Sequence, residues 1–156
     1  MGYEKRYGPF TAAVLMMFVA VQAADGHVTI SPSESLAGDE QQYTMRVPTE
    51  RDTPTVRIEA EFPQKVFVAG IDSKDGWQIE SRVDADGRIV GTVWSGGSIA
   101  PGAAEEFGFL ARNPSEEATL TWRVVQIHAD GSRAEWVGEP GSRGPAPVTV
   151  IRRPAP

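Results

Sequence analysis

Apolar and polar side chains alternate in short runs through most of the chain that follows residue 40. Successive side chains of a β-strand point to opposite faces, so this alternation predicts strands that each bury one face. The runs recur roughly ten residues apart, a spacing typical of all-β domains. Their inward-facing positions are predicted to be Tyr43, Met45 and Val47; Val56, Ile58, Ala60 and Phe62; Trp77, Ile79 and Val83; Phe107 and Phe109; and Leu120, Trp122 and Val124.

Turn residues separate these runs. Asp84–Gly87 and Asp130–Gly131 each stand between two runs and predict β-hairpins in which glycine supplies a positive φ. We expect Thr119–His128 to be the longest strand and Val148–Ile151 the last, with an irregular connection over 138–147. No window shows sustained helical periodicity, so the pattern predicts an all-β fold, an antiparallel β-sandwich in one domain.

The first 26 residues follow a different pattern. Lys5 and Arg6 precede the apolar run Thr11–Val21, whose roughly eleven residues suit a signal peptide and fall short of the ~20 that span a bilayer. We therefore expect a signal-peptide helix over 1–26, a mature domain over 27–151 and a short polar tail over 152–156. The mature protein would be periplasmic or secreted, with no stable membrane anchor.

Two cleavage points satisfy the preference for small residues before the cut. Cleavage can follow Ala23 or Gly26. Only the second makes His27 the first residue of the mature chain, and this pattern alone does not choose between them.

Composition and charge exclude several classes of protein. The chain has no Cys, so disulfides, zinc fingers and iron–sulfur clusters are excluded. A net charge of −6 disfavours nucleic acid as a partner, because a phosphate backbone requires basic residues. The sequence contains no nucleophile elbow, no phosphate-binding loop and no HExxH motif. We therefore expect no enzymatic activity.

His27 is the candidate for metal chemistry. At a free N-terminus it would combine an α-amine, an imidazole and a backbone amide, and the α-amine loses its proton near neutral pH much more readily than lysine does. Cu(II) prefers nitrogen and oxygen donors in a tetragonal arrangement. An N-terminal His27 would thus be a compact Cu(II) chelate, whose affinity falls in acid as the donors take up protons.

The chain also resembles the YcnI-like family, bacterial secreted proteins with a copper-binding domain. The matching motifs occur in order and cover nearly all of residues 27–151. They are His27-Val-Thr-Ile-Ser-Pro32, Tyr43-Thr-Met-Arg-Val-Pro-Thr-Glu50, Gly76-Trp77, Ile99-Ala-Pro-Gly102, Phe107-Gly-Phe109, Arg112-Asn-Pro114 and Glu135-Trp136-Val-Gly-Glu139. The resemblance implies a cupredoxin/immunoglobulin-like sandwich and favours cleavage before His27.

The resemblance also implies the metal site. In this family Cu(II) is held by a single N-terminal His brace, a Glu and a Trp, which correspond here to His27, Glu50 and Trp136. Glu135 is the second choice for the carboxylate because it adjoins Trp136. The implied function is an extracytoplasmic Cu(II)-binding protein that buffers, stores or delivers copper. Its partners would be the copper ion and a separate copper chaperone or membrane copper transporter.

Two other functions compete with copper storage or delivery. A copper-dependent oxidative enzyme of the polysaccharide-monooxygenase kind would need a second histidine at the metal. His128 is the other histidine of the domain, and we expect it to be an exposed residue at a strand end. A metal-free adhesion or assembly module is the third candidate, because a sandwich fold alone does not determine function.

Overall fold

The computed structural model describes Gly2 and residues 26–155, so the expected signal-peptide helix lies outside the described residues. Residues 26–155 form strands, turns and bends, without a helix. Accordingly, the described residues contain no helix that could cross a membrane. The strands are β1 (Thr29–Ser31), β2 (Glu34–Leu36), β3 (Glu40–Pro48), β4 (Thr55–Glu61), β5 (Phe67–Ile71), β6 (Gln78–Val83), β7 (Ile89–Ile99), β8 (Ala104–Arg112), β9 (Ala118–Thr121), β10 (Arg123–His128), β11 (Arg133–Trp136) and β12 (Val148–Arg152).

The strands form two sheets. The larger sheet has the order β1-β3-β8-β5-β7-β4-β10-β11, with β6 also paired to β7. The smaller sheet has the order β2-β12-β9. The pairs are antiparallel except β2 with β12, which is parallel. The predicted all-β, largely antiparallel architecture is therefore confirmed.

Aromatic side chains fill the centre of the core. Trp122 packs against Tyr43, Phe109 and Phe62, with ring centroids 5.0, 5.3 and 6.2 Å apart. All four rings are buried, and such tilted and edge-on pairs stabilise a core beyond the area they bury. Most inward positions expected from the alternation are therefore correct.

The prediction of one long strand over Thr119–His128 is wrong. The chain changes sheet at Trp122, since β9 pairs with β12 whereas β10 pairs with β4 and β11. The backbone N–H of Trp122 donates to the Pro147 carbonyl, which extends the register of β9 against β12 by one residue. The longest strand is β7, with 11 residues. Alternation continues through the junction, which is why periodicity alone does not reveal it.

Two predicted inward positions are also wrong. The register of β4 against β7 shifts between Thr55 and Arg57, so Thr55 is fully buried and Val56 only half-buried. Val83 is 59% exposed at a similar register shift in β6. A register shift changes the alternation of faces between the residues before it and those after it, and the inward Thr55 becomes part of the site described below.

A buried amide joins the two sheets at the start of β3. The Asn113 side chain accepts from the Tyr43 hydroxyl at 2.6 Å and donates to Ser35 Oγ and the Leu36 carbonyl, each at 2.8 Å. Burial raises the pKa of Tyr43, so this hydroxyl stays protonated and remains a donor. Because Ser35 and Leu36 belong to β2, Asn113 connects the smaller sheet to the larger one.

Both predicted hairpin turns are present. Gly87 and Gly131 have φ values of 76° and 80°, a backbone conformation that residues with a Cβ rarely adopt. The last strand extends to Arg152, one residue beyond the predicted strand Val148–Ile151. Arg152 forms a 2.6 Å ion pair with Glu34 of β2.

Candidate metal centre

The two edges of the larger sheet meet at one place. β1 and β11 stand at opposite ends of the strand order, yet the rings of His27, just before β1, and Trp136, at the end of β11, have centroids 5.3 Å apart at an angle of 56°. The sheet therefore curls until its edges come together. The His27 side chain is exposed, whereas Trp136 is 7% exposed.

Glu50 lies beside the residue that precedes His27. A methyl group placed on Gly26 would overlap the Glu50 carboxylate, so this carboxylate rests directly against the Gly26 Cα atom. Glu50 follows the end of β3 by two residues and is exposed. Its carboxylate is therefore adjacent to the peptide group that joins Gly26 to His27.

A cavity of about 180 Å³ lies between these elements. It is lined by Gly26, Pro48, Glu50, Arg51, Gln126, His128, Ala134 and Trp136. Glu50 and Trp136 therefore line the cavity, whereas His27 does not line it but contacts the Trp136 ring and follows Gly26. These are the three residues implied by the family resemblance.

Glu135 does not line this cavity. It precedes Trp136 in β11 and, because side chains alternate along a strand, points to the opposite face. Its carboxylate is exposed and lies 3.7 Å from Arg133. The geometry therefore favours Glu50 over Glu135 as the carboxylate of the site.

Trp136 belongs to both the core and the site. It is one of the buried residues of the hydrophobic cluster and also forms a wall of the cavity. Its indole N–H donates a 2.6 Å hydrogen bond to Gln126 Oε1. Core packing and a site role are therefore compatible for this residue.

Gln126 was not among the residues expected from the sequence. Its amide nitrogen donates to the Pro48 carbonyl at 2.8 Å and to Thr55 Oγ1 at 3.0 Å. Thr55 in turn shares a 2.7 Å hydrogen bond with Thr49. A signal was present in the pattern, since Gln126 occupies the inward position that follows Val124, where an apolar residue is usual.

His128 is buried, so the expectation that it would be exposed is wrong. Only 2% of its surface is accessible, because it continues the inward row of Val124 and Gln126 along β10. Its Nδ1 atom lies 3.5 Å from Thr55 Oγ1, a long contact for a hydrogen bond. Its Nε2 atom is buried without a hydrogen-bond partner among the described residues, and the residue lines the cavity.

Charged groups of both signs surround the cavity. Arg51 lines it and donates to the Arg133 carbonyl at 3.2 Å. In the neighbouring turn, hydrogen bonds from Ser132 hold the pKa of Asp130 below its usual value, with a smaller contribution from His128. Asp130 is therefore a carboxylate at neutral pH.

The residues around the cavity offer few side-chain donors for a metal ion. Within residues 26–155, no three His, Asp or Glu side chains are grouped to hold a metal ion. His27 and Glu50 offer one imidazole and one carboxylate, and the main chain around residue 27 offers further nitrogen atoms. This set of nitrogen and oxygen donors fits Cu(II).

A family model described as "Domain of unknown function (DUF1775)" matches residues 27–156. The chain belongs to this family. It is also 32% identical over 145 residues to the "Copper-binding protein CutI" of Bacillus subtilis (strain 168), covering 92% of this chain and 70% of that protein. The resemblance to YcnI-like proteins is confirmed by these two matches.

Solved structures show the same fold. A protein from Nocardia farcinica, described as having an immunoglobulin-like fold, superposes with a TM-score of 0.69 at 25% identity, over 80% of this chain and 97% of that one. A cohesin module from a family 33 glycoside hydrolase of Clostridium perfringens superposes with a TM-score of 0.56 at 16% identity, over 83% and 98%. At that identity the cohesin shows a shared sandwich fold and nothing about function.

Proposed function

We propose that this protein is exported, is cleaved between Gly26 and His27, and binds Cu(II) outside the cytoplasm through His27, Glu50 and Trp136. In this proposal it buffers, stores or delivers copper without a catalytic step. The observation that carries it is a juxtaposition: the His27 ring lies against the Trp136 ring, and the Glu50 carboxylate lies against Gly26, the residue before His27. The copper-binding relative from Bacillus subtilis supports the choice of metal.

Two observations support cleavage before His27. The family match begins at residue 27. The second of the two possible cuts, after Gly26, makes this same residue the first of the mature chain. Removal of Gly26 would free the His27 amine next to the Glu50 carboxylate and vacate the position that Gly26 occupies there. Cleavage would therefore create the nitrogen donor and the space for the ion in one step.

The chemistry follows from the donors. The amine and imidazole of His27 and the backbone amide of Val28 would supply nitrogen, and a Glu50 oxygen would add a negative charge to the chelate. The Trp136 ring would shield one side of the site from water. Because His27 and Glu50 are exposed, the ion could reach the site from solvent and pass to a separate copper chaperone or membrane copper transporter.

Two purified chains test the proposal. One comprises residues 27–156, and its matched control comprises residues 24–156, the product of the alternative cut after Ala23. Cu(II) titration by calorimetry should give one tight site in the first chain and an affinity lower by at least about 100-fold in the second, a difference of about 2.7 kcal/mol. Mass spectrometry of the exported protein should give His27 as the first residue. Equal affinities, or a mature start at another residue, would contradict the proposal.

One observation favours the oxidative alternative, because His128 lines the same cavity and has a buried Nε2 without a partner among the described residues. A second imidazole ligand would be required for that chemistry. In our proposal, His128→Gln retains the Cu(II) affinity and the electron paramagnetic resonance (EPR) spectrum of the parent chain 27–156. A large loss of affinity together with a changed number of nitrogen ligands would support the oxidative enzyme instead.

A further inference from the structure

We propose that Gln126 is a positioning residue of the copper centre. Its side chain holds both the Trp136 indole and the end of β3, which leads to Glu50. The inference rests on the proposed function, because it concerns the geometry that the same site offers to Cu(II). Gln126 is not itself a ligand in this proposal. It acts through Glu50, the carboxylate ligand of the proposal, and through Trp136, whose ring covers one side of the site.

The hydrogen bonds of Gln126 determine its orientation. The side chain is 1% exposed, with Oε1 accepting from the Trp136 indole at 2.6 Å and the amide nitrogen donating to Pro48 and Thr55. An indole nitrogen can only donate. A rotated amide would therefore place two donors face to face at Trp136 and leave the Pro48 carbonyl without its donor. The orientation shown is the one in which every group has a partner.

The position of Gln126 in the fold explains its reach. It lies on β10, which pairs with β11 and therefore stands near one edge of the sheet, while Pro48 ends β3, which pairs with β1 at the other edge. Its hydrogen bond to Pro48 thus spans the gap across which the curled sheet closes. Pro48 precedes Glu50 by two residues. The Gln126 side chain therefore connects the end of β3, which leads to Glu50, to the Trp136 indole.

The threonines extend this support toward Glu50. Thr55 accepts from Gln126 and shares a hydrogen bond with Thr49, the residue immediately before Glu50. Both threonines are buried. Side chains that are locked by packing and hydrogen bonds hold metal ligands in one geometry, which is how residues behind the ligands raise metal affinity.

The experiment replaces Gln126 by leucine in the chain 27–156. A matched control is Asn113→Leu, because Asn113 is also a buried amide with three hydrogen bonds and lies near the start of β3, remote from Pro48. Three measurements apply to each chain: Cu(II) affinity, the EPR spectrum of bound Cu(II), and the NMR shift and exchange protection of the Trp136 indole proton without metal.

We expect Gln126→Leu to weaken Cu(II) binding by about 10- to 100-fold, change the EPR parameters and remove the protection of the indole proton. Asn113→Leu should lower the melting temperature and keep the affinity and both spectra of the parent chain. Equal losses in the two variants would overturn the proposal, because they would indicate general destabilisation. An unchanged affinity and EPR spectrum in Gln126→Leu would also overturn it.

Gln126→Glu decides the matter should the leucine variant not fold. It has nearly the same shape and retains an acceptor for the indole, but loses the donors to Pro48 and Thr55. We expect a loss of affinity of about tenfold and a preserved indole proton shift, whereas the parent affinity would overturn the proposal. If the parent chain 27–156 itself binds no Cu(II), the proposed function fails, and the role of Gln126 fails with it.

Discussion

Two buried amides, Asn113 and Gln126, stand near opposite ends of β3 and serve different purposes. Each makes three hydrogen bonds to groups from other segments of the chain. Asn113 joins the two sheets through Tyr43, Ser35 and Leu36. Gln126 lies beneath a cavity whose rim carries exposed residues, including Glu50. The same hydrogen-bonding chemistry therefore supports the fold at one end and a candidate site at the other.

The largest loss of Cu(II) affinity is expected at His27, an exposed residue beside the cavity that Gln126 lines. His27→Ala should abolish tight Cu(II) binding by the chain 27–156, since it removes the imidazole of the chelate. The fold should remain intact, because the His27 side chain is exposed. Calorimetric Cu(II) titration and thermal unfolding measure the two effects. Undiminished affinity in this variant would reject the site.

The next effect distinguishes the two candidate carboxylates. Glu50→Gln should weaken Cu(II) binding by about tenfold or more, which corresponds to at least about 1.4 kcal/mol, because it removes the negative oxygen donor. Glu135→Gln is the matched control and should bind like the parent chain, since that side chain lies on the other face of β11. Competition with a chelator of known affinity measures both. The reverse order of effects would assign the ligand role to Glu135.

At the other end of β3, stability should change and copper binding should not. Asn113→Leu leaves the buried Tyr43 hydroxyl without its acceptor, and an unsatisfied buried polar group costs about 1–3 kcal/mol. Chemical denaturation should show this loss of the free energy of unfolding. A Cu(II) affinity that falls in parallel would contradict the separation of the two ends.

The smallest effect concerns the edge of the smaller sheet and depends on pH. Hydrogen bonds and the charge of Arg152 hold the pKa of Glu34 below its ordinary value. The pair therefore stabilises the fold above the ordinary pKa of glutamate, and this contribution is lost as the pH falls through the lowered pKa.

Arg152→Ala should therefore lower the melting temperature slightly at pH 7, and the difference from the parent chain should vanish in acid. The effect is small because both side chains are exposed and screened by solvent. Arg153→Ala changes the net charge equally and serves as the control. A difference that persists well below the pKa of glutamate would argue against the ion pair as its cause.

The strand pattern was largely predictable because alternation is a local property. Rows such as Tyr43, Met45 and Val47 are buried as expected, and Gly87 and Gly131 turn the chain where hairpins were predicted. The errors occur where pairing partners decide the outcome. A register shift against β7 turns Thr55 inward, and the change of sheet at Trp122 divides a segment whose alternation is continuous.

In the candidate site, too, some features follow from local sequence and others depend on how the strands pair. The family motifs in the sequence predicted His27, Glu50 and Trp136 as site residues. No motif predicted the burial of His128 or the hydrogen bonds of Gln126. Polar residues at a strand end are commonly exposed, and no local pattern shows that β10 ends beneath the junction of two sheet edges. The position of Gln126 in an inward row was the available signal.

The order of residues along the chain specifies the candidate donor groups: a histidine at a possible cleavage point, an acid after one strand, a tryptophan at the end of another and no cysteine. The tertiary structure alone decided that these residues meet. β1 and β11 are far apart in the strand order, and only the curl of the sheet brings the His27 and Trp136 rings to 5.3 Å. Curvature depends on the packing of the whole core and on bulges in several strands, so it is not encoded in any one segment.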